Sequence, residues 1–206
     1  MQKKIVRLLI LFQISTLTGQ DLETTLQEIA DDYGVMGMSL YVNVDGEVSE
    51  TYLGLRDYTR NLPVNENTQY RIASVSKSFT ALGLIKLIND GAIGLDDDIS
   101  EVLGYELRNP NFLNIPITYR MLLSHTSSLQ DGSGYAPFLD ATYNQSPIPS
   151  ISELLLGSGS FYTPNMWRQE SPGIYFTYSN INYGLIGTLI EALSGQRFDV
   201  FMREQI

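Results

Sequence analysis

A chain of 206 residues with 43% hydrophobic content carries enough apolar side chain for one large domain with a real core, which excludes an intrinsically disordered protein. Thirteen Lys and Arg against 23 Asp and Glu give a formal charge of −10, the wrong sign for a surface that neutralises phosphates, so neither nucleic acid nor anionic lipid is an expected partner. There is no Cys and a single His, which removes a disulfide framework, a thiol nucleophile and most multi-histidine metal sites.

In chain order, residues 1–20 read as a secretory signal peptide. Lys3, Lys4 and Arg7 precede an apolar run from Leu8 to Leu17, and the small residues Thr16, Thr18 and Gly19 close it. The run is too short to span a bilayer. Cleavage is expected near Gly19 or Gln20, with a buried N-terminal helix as the competing reading. A leader of this kind predicts a bacterial periplasmic or secreted protein, and no later stretch offers a stable membrane anchor.

The mature domain, residues 21–206, opens with apolar side chains at Leu22, Leu26, Ile29 and Tyr33 followed by Gly34, the pattern of an amphipathic helix with a stop. Met38–Val44 and Val48–Leu53 flank Asp45-Gly46, which predicts a β-hairpin. Residues 75–90 read as a helix apolar on nearly every face, and so as a central one. The run Asp96-Asp97-Asp98 lacks the Gly and distal Glu of a calcium loop and is expected to be a solvated turn or helix cap. A short helix follows over Ile117–Leu123 with Thr118 as N-cap. Residues 130–175, rich in Gly, Pro, Ser and Tyr, are predicted to be an irregular binding-site wall. Asn180–Leu193 is a second helix apolar all round, stopped by Gly195, and Phe198, Phe201 and Met202 begin an amphipathic helix that runs to Ile206.

The usable nucleophiles are hydroxyls, and a hydroxyl needs a base near neutral pH. Ser74-Val75-Ser76-Lys77 offers both at helical spacing, with Cβ atoms about 5–6 Å apart. A lysine base works near neutral pH only where its ammonium is destabilised, and burial in an apolar helix acts in that direction. Only four lysines exist, the others being Lys3, Lys4 and Lys86, and this one heads the most apolar helix. A second element, Tyr178-Ser179-Asn180, precedes the other apolar helix. If it is extended, the Tyr178 hydroxyl and the Asn180 amide project to one side, where they can relay a proton and hold an amide or Lys77.

Together, Ser74-Val75-Ser76-Lys77, Leu122-Leu123-Ser124-His125-Thr126-Ser127-Ser128-Leu129, Ser171-Pro172-Gly173 and Tyr178-Ser179-Asn180 resemble the serine β-lactamase and penicillin-binding-protein family, in its class C and D,D-peptidase-like branch. Tyr-Ser-Asn stands where other members have Ser-Asp-Asn. The resemblance implies an α+β fold: an antiparallel sheet with flanking helices, plus a mainly helical subdomain over about residues 80–170. It implies Ser74 as acylated nucleophile, Lys77 as its general base, Tyr178 as proton shuttle to the leaving group and Asn180 as substrate-binding amide. The Ser74 backbone N–H is implied as one oxyanion donor, and which of Lys77 and Tyr178 first takes the Ser74 proton stays open. His125 is implied to be a turn residue outside the catalytic set.

No metal and no organic cofactor is implied. The expected partner is a small-molecule or peptide substrate acted on by a monomer, in an exported serine hydrolase that cleaves an amide or ester: a D-Ala-D-Ala peptide, a β-lactam or a small ester. The family's third motif, a Lys or His two positions before a Gly on a late strand, has no counterpart, because no Lys or His follows Asn180. Losing one oxyanion donor typically costs about 10²–10³ in rate. The chain is therefore expected to be C-terminally truncated, its closing strands missing. The alternative function is an inactive remnant that at most binds peptidoglycan-like peptides.

Overall fold

The computed structural model describes residues 19–206, and side chains from Leu22 onward. The predicted leader lies outside the described residues except for Gly19 and Gln20, which begin the first helix. Two compact units divide the chain between Arg71 and Ile72.

In the first unit, helix α1 (Gly19–Tyr33) is followed by strands β1 (Gly37–Val44), β2 (Glu47–Asp57) and β3 (Leu62–Pro63). β1 and β2 pair antiparallel from Val44↔Glu47 to Gly37↔Gly54. The predicted hairpin turn is in place, with Asp45 at φ 53° and Gly46 at φ 92°, the left-handed pair that suits the strand twist. β2 runs past the expected Leu53, because a bulge between Leu55 and Asp57 lets it pick up β3. α1 packs on β2, with Ala30, Leu53 and Val64 as the buried apolar side chains among the described residues of this unit.

The second unit holds the larger core. A 3₁₀ turn (Ala73–Val75) leads into α2 (Ser76–Asn89), followed by α3 (Ser100–Leu103), α4 (Tyr119–Leu123), α5 (Tyr135–Asn144), α6 (Ser152–Leu155), a second 3₁₀ turn (Pro164–Met166), α7 (Asn180–Ser194) and α8 (Phe198–Gln205). Within this unit α7 and α8 pack with the earlier helices. The central element is α7, which meets α2, α3, α4 and α8 and buries Ile181, Leu185, Ile186, Leu189 and Ile190. Each buried aliphatic side chain of this size contributes roughly 1.5–3 kcal/mol by leaving water. α2 departs from the prediction: Leu84 and Leu87 enter the core, but Phe79, Leu82 and Ile85 stay 42–50% exposed. It is a boundary helix with one buried stripe.

Residues 130–175 are also less irregular than their composition predicts. They form α5 and α6 and bury Leu154, Leu155, Met166 and Trp167. Short elements with polar or Tyr-rich spacing leave little periodic signal. Thr118 caps α4 as expected, accepting the Met121 N–H at 3.3 Å. The Asp run is a set of turn and cap contacts. Asp96 takes Arg120 with both oxygens, Asp97 accepts the Gly94 N–H, and Asp98 accepts the Ser100 N–H and pairs with Arg108. Among the described residues no group of three or more acidic or His side chains is placed to hold a metal ion. Nor is any helix among them long and apolar enough to cross a membrane.

Candidate active site

Three segments of the second unit build the site. The first is the 3₁₀ turn, whose Ala73 has φ 45°, a left-handed conformation that costs a non-glycine residue energy and that the surrounding structure has to impose. It presents Ser74 at the solvent-facing head of α2, and Lys77 follows one turn on, half-buried. The second segment, residues 173–179, leaves a turn at Gly173 (φ 87°) and is extended at Ser179, with φ −144° and ψ 131°. Tyr178 and Asn180 therefore project to the same side, as predicted.

The third segment, residues 124–131, ties the second down. The Gly173 N–H donates to Thr126 O at 2.7 Å and the Thr177 N–H to His125 O at 2.8 Å. On its other flank, the Gln130 N–H bonds to Met166 O and the Arg168 N–H to Ser128 O, each at 2.9 Å. His125 and Ser128 both sit at positive φ, so the segment folds back sharply enough to reach both neighbours. The buried Asn109 amide donates to Ser128 Oγ and Arg168 O and fixes that bend from behind.

The four predicted site residues meet. Ser74 Oγ lies 2.6 Å from Tyr178 Oη. Lys77 Nζ donates to Ser74 Oγ at 3.1 Å and to Asn180 Oδ1 at 2.7 Å. Lys77 Nζ also stands 4.9 Å from the centre of the Tyr178 ring and 5.8 Å from that of Tyr183, faces that attract a cation. Lys77, and secondarily the Ser74 hydrogen bond, hold the Tyr178 phenol below its usual 10.0, because both stabilise the phenolate. Lys77 is less enclosed than an all-round apolar helix implied, since α2 is a boundary helix. The Asn180 amide is turned toward Lys77, not toward open solvent.

Other polar residues join the site that the motifs did not single out. Asp131 Oδ1 accepts from Ser179 Oγ at 2.8 Å and from the Ile181 N–H at 3.2 Å, and its Oδ2 accepts from Asn180 Nδ2 at 2.7 Å. It thus caps the N-terminus of α7 from 50 residues away. Buried Asn182 bonds Ser127 Oγ at 2.6 Å and His125 Nδ1 at 3.2 Å. His125 is buried against the rings of Tyr178 and Tyr183. Only the buried polar position of Asn182 in an otherwise apolar helix was a signal open to sequence reasoning. Asp131 had none, since its partners lie about 50 positions on.

A hydroxyl held between an amine and a phenol, at a helix start where backbone N–H groups favour negative charge, can attack a carbonyl and pass its proton on. Residues 22–206 match the family model described as Beta-lactamase. Protein flp of Staphylococcus aureus (strain MRSA252) is 26% identical over 185 residues, covering 89% of this chain and 35% of that protein. Penicillin-binding protein 4* of Bacillus subtilis (strain 168) is 28% identical over 191 residues, covering 90% and 38%. The D-amino acid amidase of Ochrobactrum anthropi SV3, solved in complex with L-phenylalanine amide, superposes with a TM-score of 0.69 at 30% identity, covering 90% of this chain and 49% of that one. The chain thus spans about a third of the length of the curated relatives it matches. The chain belongs to the β-lactamase and penicillin-binding-protein-like family.

Proposed function

We propose that this chain carries the acylation half-site of an exported serine hydrolase, in which Ser74 forms an acyl-enzyme with an amide or ester carbonyl. The observation that carries the reading is the convergence on Ser74 Oγ of Tyr178 Oη at 2.6 Å and Lys77 Nζ at 3.1 Å. The Tyr178 oxygen, whose phenol Lys77 and Ser74 hold below its usual value, is the group we assign to take the Ser74 proton, as phenolate. Attack forms the Ser74 Oγ–carbonyl bond, and the oxyanion develops near the Ser74 N–H. Tyr178 then returns its proton to the departing nitrogen or oxygen as that bond breaks, and water releases the acyl group by the reverse relay.

The relatives direct the substrate toward amides: one is named a penicillin-binding protein and another is an amidase crystallised with an amino acid amide. A short amino acid amide, a D-Ala-D-Ala peptide or a β-lactam is therefore the proposed substrate class. An exported site of action accords with the basic and apolar run at the N-terminus. The test is covalent labelling of the purified chain with a fluorescent penicillin and with an activated ester, read by intact mass. Labelling expected in wild type and absent in Ser74→Ala supports the reading. No adduct, or equal labelling of Ser74→Ala, overturns it and leaves the non-catalytic peptide-binding alternative.

A further inference from the structure

We propose that Asp131 is a positioning residue of this site: its carboxylate dictates which way the Asn180 amide faces, and through that amide holds Lys77 against Ser74. The proposal rests on the acylation reading above.

An asparagine side chain has one accepting and one donating end, and a half-turn exchanges them. With the observed orientation, Asn180 Oδ1 accepts from Lys77 Nζ at 2.7 Å. The opposite orientation would set an NH2 group against an amine that also donates to Ser74 Oγ, a contact with no acceptor. What selects the productive orientation lies at the other end of the amide, where Nδ2 donates to Asp131 Oδ2 at 2.7 Å. An ionised carboxylate only accepts, so it tolerates the NH2 group and excludes the carbonyl.

The carboxylate is itself unable to turn away. Its Oδ1 is engaged by Ser179 Oγ and by the Ile181 N–H, both fixed by the start of α7. Its backbone follows residues 128–130, which are bonded to 166–168. The Asp131 side chain is open to solvent, so screening weakens its long-range charge. Its influence is directional, exerted through the Asn180 bond.

Asp131→Asn is therefore informative. The introduced amide has to offer its carbonyl to Ser179 Oγ and the Ile181 N–H, which puts its NH2 group against that of Asn180. Asn180 relieves the clash by turning over, and Lys77 loses its acceptor. Adding Asn180→Asp restores the order, since a carboxylate at 180 accepts both from Lys77 and from the new amide.

The test uses side-chain amide NMR and Ser74 labelling kinetics together on the full chain. In wild type, one Asn180 side-chain amide hydrogen is expected to exchange slowly and resonate apart from the free amides. In D131N that signature is lost and labelling slows by up to about 100-fold, the scale of a misplaced reacting group, while the denaturation midpoint stays near wild type. D131N/N180D labels faster than N180D alone, in which two carboxylates face each other, so the pair and not residue 180 by itself sets the rate. An unchanged Asn180 signal in D131N, a wild-type labelling rate there, or a folded double variant no faster than N180D overturns the proposal. If D131N does not fold, the wild-type signal decides alone: slow exchange of one Asn180 amide hydrogen supports the proposal, and exchange as fast as that of the free amides overturns it. A wild-type chain that never labels at Ser74 sinks the hydrolase reading, and the amide spectrum still decides the role of Asp131.

Discussion

His125 Nδ1 lies 3.2 Å from the backbone nitrogen of Ser179, across 54 residues of sequence. A ring nitrogen that accepts the Ser179 N–H carries no proton, so the network assigns the neutral tautomer protonated at Nε2. The same Nδ1 faces the Asn182 amide at 3.2 Å, and the ring lies 4.6 Å from that of Tyr178, centre to centre. The only histidine of the chain thus pins the backbone between Tyr178 and Asn180 and supports the Tyr178 ring. Burial, and secondarily the charge of Lys77, push the imidazole below its usual 6.5, against a smaller opposing effect of Asp131.

That depression makes folding pH-dependent with a definite sign. The unfolded chain binds a proton at His125 more readily than the folded one, so the contribution is fully present above about pH 6.5 and is lost as pH falls through the lower folded value. Protonated Nδ1 would face two donors with no acceptor. Denaturation midpoints measured between about pH 7 and pH 5 should fall more steeply for wild type than for His125→Asn. That variant should itself be weaker by about 1–3 kcal/mol at neutral pH. Parallel pH profiles for the two proteins would contradict the assignment.

Tyr178 ionisation gives a second pH signature. Lys77 and the Ser74 hydrogen bond hold the phenol below 10.0, so the Ser74 labelling rate is expected to rise with pH toward a midpoint below that value. Lys77→Met removes the larger cause. Its midpoint should move up toward 10.0 while the plateau rate falls. Tyr178→Phe removes the relay itself and should cost about 10²–10⁴ in rate, leaving no alkaline rise. A midpoint that ignores Lys77→Met would instead assign the rise to another group.

Asn182 is fully buried in a helix face that is otherwise aliphatic, and it serves Ser127 and His125 at once. Asn182→Ala leaves the Ser127 O–H without its acceptor, while Ser127 Oγ keeps the Leu129 N–H, and is expected to cost about 3 kcal/mol by chemical denaturation. Because the penalty lies in the unpaired partner, Ser127→Ala added to it should cost less than the sum of the two single changes. Strict additivity would mean that the two side chains do not depend on each other.

How much of this is legible in the chain itself follows from range and period. The Asp45-Gly46 hairpin, the Thr118 cap and the pairing of Ser74 with Lys77 are local, within four residues, and the sequence displays them. The extended Tyr178-Ser179-Asn180 segment is also local. Its meeting with Ser74, 104 residues away, comes only from family resemblance, since no spacing rule spans that distance. The role of Asp131 is invisible for the same reason. α2 departs from its sequence reading because composition says how apolar a helix is, not which stripe is covered: Leu84 and Leu87 are buried while Phe79, Leu82 and Ile85 are not. α5 and α6 leave little trace because Tyr135–Asn144 contains Pro137 and few aliphatic residues, and a helix as short as Ser152–Leu155 carries no period.

The packing of α5 yields the last test. Gly134 sits at its N-terminal boundary and its N–H donates to Thr163 Oγ1 at 3.2 Å. A methyl group added there would collide with the Phe161 carbonyl oxygen and approach its carbon to 3.0 Å. The obstacle is backbone, so a rotamer change cannot relieve it. α5 would have to lift from the 161–163 segment and give up the edge-to-face contact of Phe138 with Phe161. Gly134→Ala is therefore expected to destabilise by about 3 kcal/mol. Gly157, in the same stretch, has open space around its Cβ position, and Gly157→Ala should leave stability within about 1 kcal/mol of wild type, on the favourable side if its backbone suits alanine. Equal midpoints for the two variants would show that Gly134 is not closely packed, and that α5 docks differently from the arrangement described.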